Sequence, residues 1–161
     1  MTVKSHDGTN TATSAGQAPG GTPDERLASP LDGLLGYRLR RASMVLMADL
    51  ASVLRPFGLS AGEASLLILV GANPGCRQSD VGRALEIKRA NLTPLVGRLK
   101  ARGLITDAPI DGRSLSLTLT EEGRALQEEA LTRITTSDRA VRKRLSMDET
   151  SLLAALREMT G

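Results

Sequence analysis

From residue 32 to 54 apolar side chains recur every three or four positions, at Leu35, Leu39, Ala42, Leu46, Leu50 and Val53. That spacing gives one apolar stripe and predicts a helix over 32–54, ended by Pro56 and Gly58. Ser60-Ala61-Gly62-Glu63 is a capping box: the hydroxyl accepts from the amide three residues on, and the carboxylate reaches back. It opens a second helix carrying Ala64, Leu67, Ile68 and Val70, and Asn73-Pro74-Gly75 is a turn. Two short helices follow, over 78–85 and 89–102, separated at Glu86-Ile87-Lys88. In the later one Leu92, Leu95, Val96 and Leu99 form a one-sided stripe, and Gly103 is the stop.

The period then changes from helical to two. Ser114-Leu115-Ser116-Leu117-Thr118-Leu119 alternates as a half-buried strand does. Asp111-Gly112 is a hairpin turn, with 104–108 as the partner strand. After Thr120 a helical stripe of Leu126, Ala130, Ile134, Val141 and Leu145 predicts a long helix to about 144. A second capping box at Ser146-Met147-Asp148-Glu149 begins a last helix with Leu152, Leu153, Leu156 and Met159. The first and last helices hold more apolar surface than a small domain needs, which predicts pairing between subunits. Residues 1–29, rich in Thr, Ser, Gly, Ala and Pro without apolar periodicity, read as a disordered tail with no secretory signal. The expected organisation is that tail plus one domain over 30–161. Within it, dimerisation helices occupy 31–55 and 121–160 and a DNA-binding unit occupies 60–120. The fold class is mainly α with a two-stranded β-wing.

Composition narrows the chemistry. In 161 residues there are one Tyr, one Phe, one Cys, one His and no Trp. His6 lies in the polar tail, so a Ser-His-Asp or Cys-His catalytic site is not expected. Ligands for a zinc site are lacking, no cofactor is implied, and two aromatics make no base-stacking platform. Glu121, Glu122, Glu128 and Glu129 share a helix without a His, which fits a solvated face better than a metal cluster. The expectation is therefore not an enzyme. One Cys allows no intrachain disulfide and fits a reducing, cytoplasmic setting, and no apolar run is long enough for a membrane span.

Charge is informative by position. Residues 73–105 contain Arg77, Arg83, Lys88, Arg89, Arg98, Lys100 and Arg102 against Asp80 and Glu86, a net of +5 in a chain whose total is +3. A local basic patch on a slightly acidic remainder points to a polyanion or else to a solvated basic helix face. The arrangement of short helix, turn, helix and hairpin favours the first, because it is that of a winged helix-turn-helix, whose second helix enters the major groove. Opposite the apolar stripe of 89–102 lie Ala90, Pro94, Gly97, Arg98 and Ala101, flanked by Asn91 and Thr93. Small residues permit close approach, Asn91 suits adenine, Ala90 and Thr93 suit a thymine methyl, and Arg98 suits guanine or a phosphate. Pro94 admits two readings: a helix starting at Arg89 in which it lacks a needed N–H, or Asn91 as N-cap with Pro94 in the first turn.

The stretch from Ile87-Lys88-Arg89-Ala90-Asn91-Leu92-Thr93-Pro94 to Gly103-Leu104-Ile105 resembles the recognition helix of the multiple-antibiotic-resistance regulator (MarR) family. Asp111-Gly112-Arg113-Ser114 is similar to that family's acidic-x-Arg wing tip, and Leu119-Thr120-Glu121-Glu122-Gly123 to its entry into the long dimerisation helix. The resemblance in helix order runs from about Leu31 onward. It implies a homodimeric repressor on a palindromic double-stranded operator, released by a small-molecule effector. It also implies that Arg113 reaches into the minor groove, Asp111 orients the wing, and Gln78 and Ser79 contact phosphates. Two departures stand out: Pro94, and Thr106-Asp107-Ala108-Pro109 where family members often carry basic residues.

The resemblance places the effector pocket between the dimerisation helices and the DNA-binding lobe. The matching residues are Tyr37, Arg40, Arg41, Met44, Met47, Ala48, Phe57 and Ser65. A Met and aromatic lining beside cations suits an apolar acid or a phosphate-bearing thioester; the same residues also read as core methionines and a solvated basic face. Leu39-Arg40-Arg41-Ala42, Lys88-Arg89-Ala90-Asn91 and Asp111-Gly112-Arg113-Ser114 resemble the family's hydroxycinnamate-catabolism branch, which implies an aromatic acyl-coenzyme A effector. Cys76 beside Arg77 reads as a small buried or edge residue rather than a redox thiol. The alternative function is a ligand-binding or protein-interaction dimer that has lost DNA binding.

Overall fold

The computed structural model describes residues 29–111 and 114–160. The expected tail, apart from Ser29, together with Gly112 and Arg113 of the wing tip, lies outside the described residues. A 3₁₀ turn, Pro30–Gly33, precedes α1 (Leu35–Leu54); a second, Arg55–Phe57, follows it and ends at Gly58 in the left-handed conformation, φ 60°. The chain bends there by 73° into α2 (Ala61–Ala72). The capping box forms as expected: Ser60 Oγ accepts from the Glu63 amide at 3.3 Å and the Ser60 amide donates to Glu63 Oε2 at 2.8 Å.

α2 is apolar on all sides and becomes the core helix. Its Ala64, Leu66, Leu67 and Val70 are buried among Leu54, Val81, Leu92, Val96, Leu99 and Leu117. Beyond the Asn73-Pro74-Gly75 turn come β1 (Cys76–Arg77), α3 (Gln78–Ala84), α4 (Arg89–Ala101), β2 (Ile105–Asp111) and β3 (Ser114–Leu119). The expected wing hairpin forms from β2 and β3, and β1, not expected, adds a third strand in an antiparallel sheet of order β1-β3-β2. Cys76 pairs with Leu117 and Arg77 with Ser116. Two residues are too few to show alternation, which is why β1 is invisible to periodicity. β2 extends past the expected 104–108 through Pro109, opposite Leu115, with a register shift before Asp111. An edge strand tolerates that proline because its outer N–H positions need no partner.

α5 (Glu121–Arg142) starts at Thr120, whose Oγ1 accepts from the Gly123 amide at 2.9 Å. The Thr120 amide donates to the Leu104 carbonyl at 3.1 Å, and Thr120 Oγ1 donates to the Gly103 carbonyl at 2.7 Å. Gly123 is pressed against the Leu104 carbonyl so closely that a Cβ has no room. α6 (Glu149–Thr160) begins two residues later than the predicted second capping box requires. Its cap is Asp148 rather than Ser146: Asp148 Oδ2 accepts from the Ser151 amide at 2.9 Å and the Ser151 hydroxyl at 2.9 Å. The charged Asp lies next to the first turn and outcompetes Ser146; those bonds hold its carboxyl below the ordinary carboxylate range.

α6 buries no residue, and α1 buries only Leu54. Leu35, Met44, Val45, Leu46 and Met47 on α1, and Leu153, Leu156 and Met159 on α6, are exposed. Among the described residues, no single helix is long and apolar enough to cross a membrane.

Candidate nucleic-acid interface

α4 is set by its apolar stripe. Leu92, Val96 and Leu99 are buried and Leu95 is half-buried against the first turn of α2, where a Cβ on Gly62 would touch it at 3.6 Å. α3 approaches closely because Gly82 lacks a side chain; a Cβ there would lie 3.0 Å from Leu92. The turn between the two helices is fixed by Glu86 in the left-handed conformation, φ 53°, and by the Ile87 amide donating to the Gly82 carbonyl at 2.9 Å.

This packing turns Ala90, Asn91, Thr93, Pro94, Gly97, Arg98 and Ala101 outward, all exposed, with Lys88 and Arg89 exposed at the start. The helix starts at Arg89, so Pro94 lies inside it and offers no N–H to the Ala90 carbonyl; the reading with Asn91 as N-cap is corrected. Pro94 is accommodated because this is the solvent face, where water can satisfy the carbonyl. The Thr93 hydroxyl donates to the Arg89 carbonyl at 3.0 Å, which leaves its methyl as the contact group.

Sequence reasoning counted basic residues without their partners. Arg83 pairs with Asp80, Arg98 with Glu63, and Lys100 with Asp107 on β2. Arg102 donates to the carbonyls of Gly58 at 2.8 Å and Phe57 at 2.9 Å. Among the described residues Lys88 and Arg89 are in no ion pair, so uncommitted positive charge is concentrated at the start of α4. Glu63, missed as a functional residue because the capping box already explained it, is buried at 6% exposure. Burial pushes its carboxyl up. The Ser60 amide, the Arg98 guanidinium and the Ser60 hydroxyl outweigh that and hold it below the ordinary carboxylate range.

A cleft of about 460 Å³ lies between α3, α4 and β3 and brings together Gln78, Ser79, Arg89 and Thr93 of the predicted contacts. It also recruits Arg83 and, from the wing, Leu115. Leu115 shares its strand face with buried Leu117 and Leu119 but reaches beyond the core and stays 38% exposed. Lys88, Ala90, Asn91, Pro94 and Arg98 lie outside this cleft. Asp111 and Ser114 flank the undescribed tip.

The effector candidates are less well assembled. Arg40 and Arg41 stand 6.0 and 5.9 Å from the centre of the Tyr37 ring. Met44, Met47 and Ala48 are exposed, while Phe57 and Ser65 are half-buried. A cleft of about 200 Å³ between α1 and α5 includes Met47 alone of the eight, beside Leu46, Asp49, Leu50, Ile134, Ser137, Asp138 and Val141. Cys76 is half-buried on β1; burial pushes its thiol up and the charge of Asp80 adds to that, against the bond from its own amide. The edge-residue reading fits this better than a reactive thiolate. Among the described residues no three His, Cys, Asp or Glu side chains gather as a metal ion would require.

Residues 57–114 match the model of the MarR family. The chain is 31% identical over 123 residues to the HTH-type transcriptional regulator PecS of Dickeya dadantii, covering 73% of this chain and 74% of that one. It is 28% identical over 132 residues to the HTH-type transcriptional repressor Rv2887 of Mycobacterium tuberculosis, covering 81% of this chain and 95% of that one. Among solved structures, the transcriptional repressor CouR bound to a 23-mer DNA duplex superposes with a TM-score of 0.75 at 32% identity, covering 81% of this chain and 95% of that one. CouR bound to p-coumaroyl-CoA superposes with a TM-score of 0.73 at 28% identity, covering 84% of this chain and 97% of that one.

Proposed function

The chain belongs to the MarR family of transcriptional regulators, and from that premise we propose that it is a homodimeric repressor of a palindromic operator, released by a small aromatic acid or an aromatic acyl-coenzyme A thioester. The observation that carries DNA reading is the outward face of α4: small and polar side chains, with Lys88 and Arg89, cations in no ion pair among the described residues, at its start and the wing beside it. Lys88, Arg89, Gln78 and Ser79 serve phosphates. Asn91, Ala90 and Thr93 meet base edges, Pro94 gives an apolar contact, and Arg113, on a wing oriented by Asp111 and next to Ser114 in sequence, enters the minor groove. The likeness to CouR supports the effector class, with Tyr37, Arg40, Arg41, Met44, Met47, Ala48, Phe57 and Ser65 as the residues to probe.

The test is fluorescence anisotropy with the DNA flanking the gene, against a scrambled duplex. Sequence-specific, steeply salt-dependent binding is expected. Asn91→Ala is expected to cost about 1–3 kcal/mol on the preferred site and to relax preference at one position. Equal loss on every operator variant would remove Asn91 from base reading. A thermal-shift screen of aromatic acids and their coenzyme A thioesters then identifies the effector, since a ligand that binds the folded state raises its melting temperature. A second reading, a ligand-binding dimer without DNA binding, draws support from Asp107, which neutralises Lys100 where the family often carries wing cations. Absence of binding to any duplex at about 50 mM salt favours it.

A further inference from the structure

We propose that Glu63 is a specificity-determining residue of the DNA interface: it holds Arg98 as an internal ion pair and so keeps that cation from binding phosphate indiscriminately. The inference rests on the DNA-reading role of α4. Glu63 sits in the first turn of α2, at the point where Gly62 lets that turn close on Leu95 of α4. Its two oxygens are divided. Oε2 accepts from the Ser60 amide and hydroxyl, each at 2.8 Å, and Oε1 accepts from Arg98 Nε at 2.8 Å. The carboxylate is anchored at one end by the helix cap, so it cannot follow Arg98 outward. Arg98 is 55% exposed along its side chain, on the same face as Ala90, Pro94 and Gly97. It is presented to a groove with its Nε taken and its charge offset by an anion in contact.

Lys100 is offset in the same manner by Asp107. The latter part of α4 therefore presents shape and directed N–H groups with little net charge, while the start presents free charge. Non-specific affinity scales with the number of phosphates neutralised. A cation offset from within the protein adds little to it, yet its remaining N–H donors still discriminate base edges.

The experiment uses the full chain and two duplexes, one selected by the wild-type protein from a randomised pool and one scrambled. Binding is measured from about 50 to about 200 mM salt. Glu63→Gln keeps an acceptor for the capping box and frees the Arg98 charge. It is expected to steepen the salt dependence on scrambled DNA by about 0.9 per bound protomer, roughly 3.5-fold more loss across that range, and to lower the selected-to-scrambled ratio. Arg98→Gln alone leaves the slope on scrambled DNA unchanged, and Glu63→Gln combined with Arg98→Gln returns it to the wild-type value. An unchanged slope in Glu63→Gln overturns the proposal. So does a slope reduced by about 0.9 in Arg98→Gln, which would make Arg98 an ordinary phosphate contact. If Glu63→Gln loses its circular-dichroism signal, Arg98→Gln decides alone. Failure of the wild-type protein to bind either duplex sinks the DNA-reading role and this proposal together, whereas wild-type binding with unaltered slopes sinks only the latter.

Discussion

Glu63 carries two jobs on one carboxylate, and its titration reports both. Its folded pKa lies below the ordinary 4.5, so as the pH falls the unfolded chain takes up the proton first. The stability it supplies is complete above that ordinary value and is lost as pH falls through the lower folded one. Urea midpoints measured at pH 6 and pH 3 are expected to fall less in Glu63→Gln than in the wild type; equal falls would mean that the bonds to Ser60 and Arg98 do not discriminate protonation states. Gly123 is decisive in another way. No Cβ fits between it and the Leu104 carbonyl, so Gly123→Ala is expected to cost about 2–3 kcal/mol in urea denaturation. The sequence marks this glycine only through its motif; the close approach itself depends on a carbonyl nineteen positions earlier, which no local pattern reveals.

Helices whose apolar stripes face a core were legible to within a few residues, because a period of 3.6 is strong over ten positions or more. α4 and α5 are examples: the expected 89–102 is observed as Arg89–Ala101, and the helix expected to reach about 144 ends at Arg142. Caps were legible where one residue competed, as at Ser60, and not where two did, as at Ser146 and Asp148. The turn between α3 and α4 was legible as a break but not as a strained one. Glu86 holds a left-handed conformation that costs an L-residue about 1–2 kcal/mol. Part of that is returned to the unfolded state's entropy when glycine replaces it. Glu86→Gly is thus expected to raise stability by about 0.5–1 kcal/mol, read from the urea midpoint; a loss would mean that the Glu86 side chain makes a stabilising contact.

At the scale of the molecule, the sequence located the basic window but not its internal bookkeeping. Arg83, Arg98 and Lys100 meet carboxylates and Arg102 meets backbone carbonyls, through partners 3, 35, 7 and 44–45 positions away. Only the first of those spacings is visible in a local pattern. The basic composition of the candidate DNA face is therefore readable in the sequence, and the pairing of its charges is not. The proposed effector residues rest on likeness alone, and seven of the eight lie outside the cleft between α1 and α5. Apolar side chains on α1 and α6 are left uncovered. If those faces pair, Leu153→Glu with Leu156→Glu is expected to halve the mass seen in light scattering while leaving the helical circular-dichroism signal intact. An unchanged mass would place the subunit contact elsewhere.

The joint at Leu104, Thr120 and Gly123 makes a crank of two helices. Gly103 and Leu104, just past the end of α4, accept bonds of 2.7 and 3.1 Å from Thr120, the N-cap of α5, and the Leu104 carbonyl presses on Gly123. α5 is 22 residues long and α4 13, so the two arms measure about 33 and 20 Å. A sideways movement of about 3 Å at the far end of α5 turns the crank by roughly 5° and swings the start of α4 by about 2 Å. That exceeds the tolerance of a hydrogen bond to a base edge. Carried rigidly through this joint, a small displacement at the remote end of the long helix would reach the residues at the start of α4.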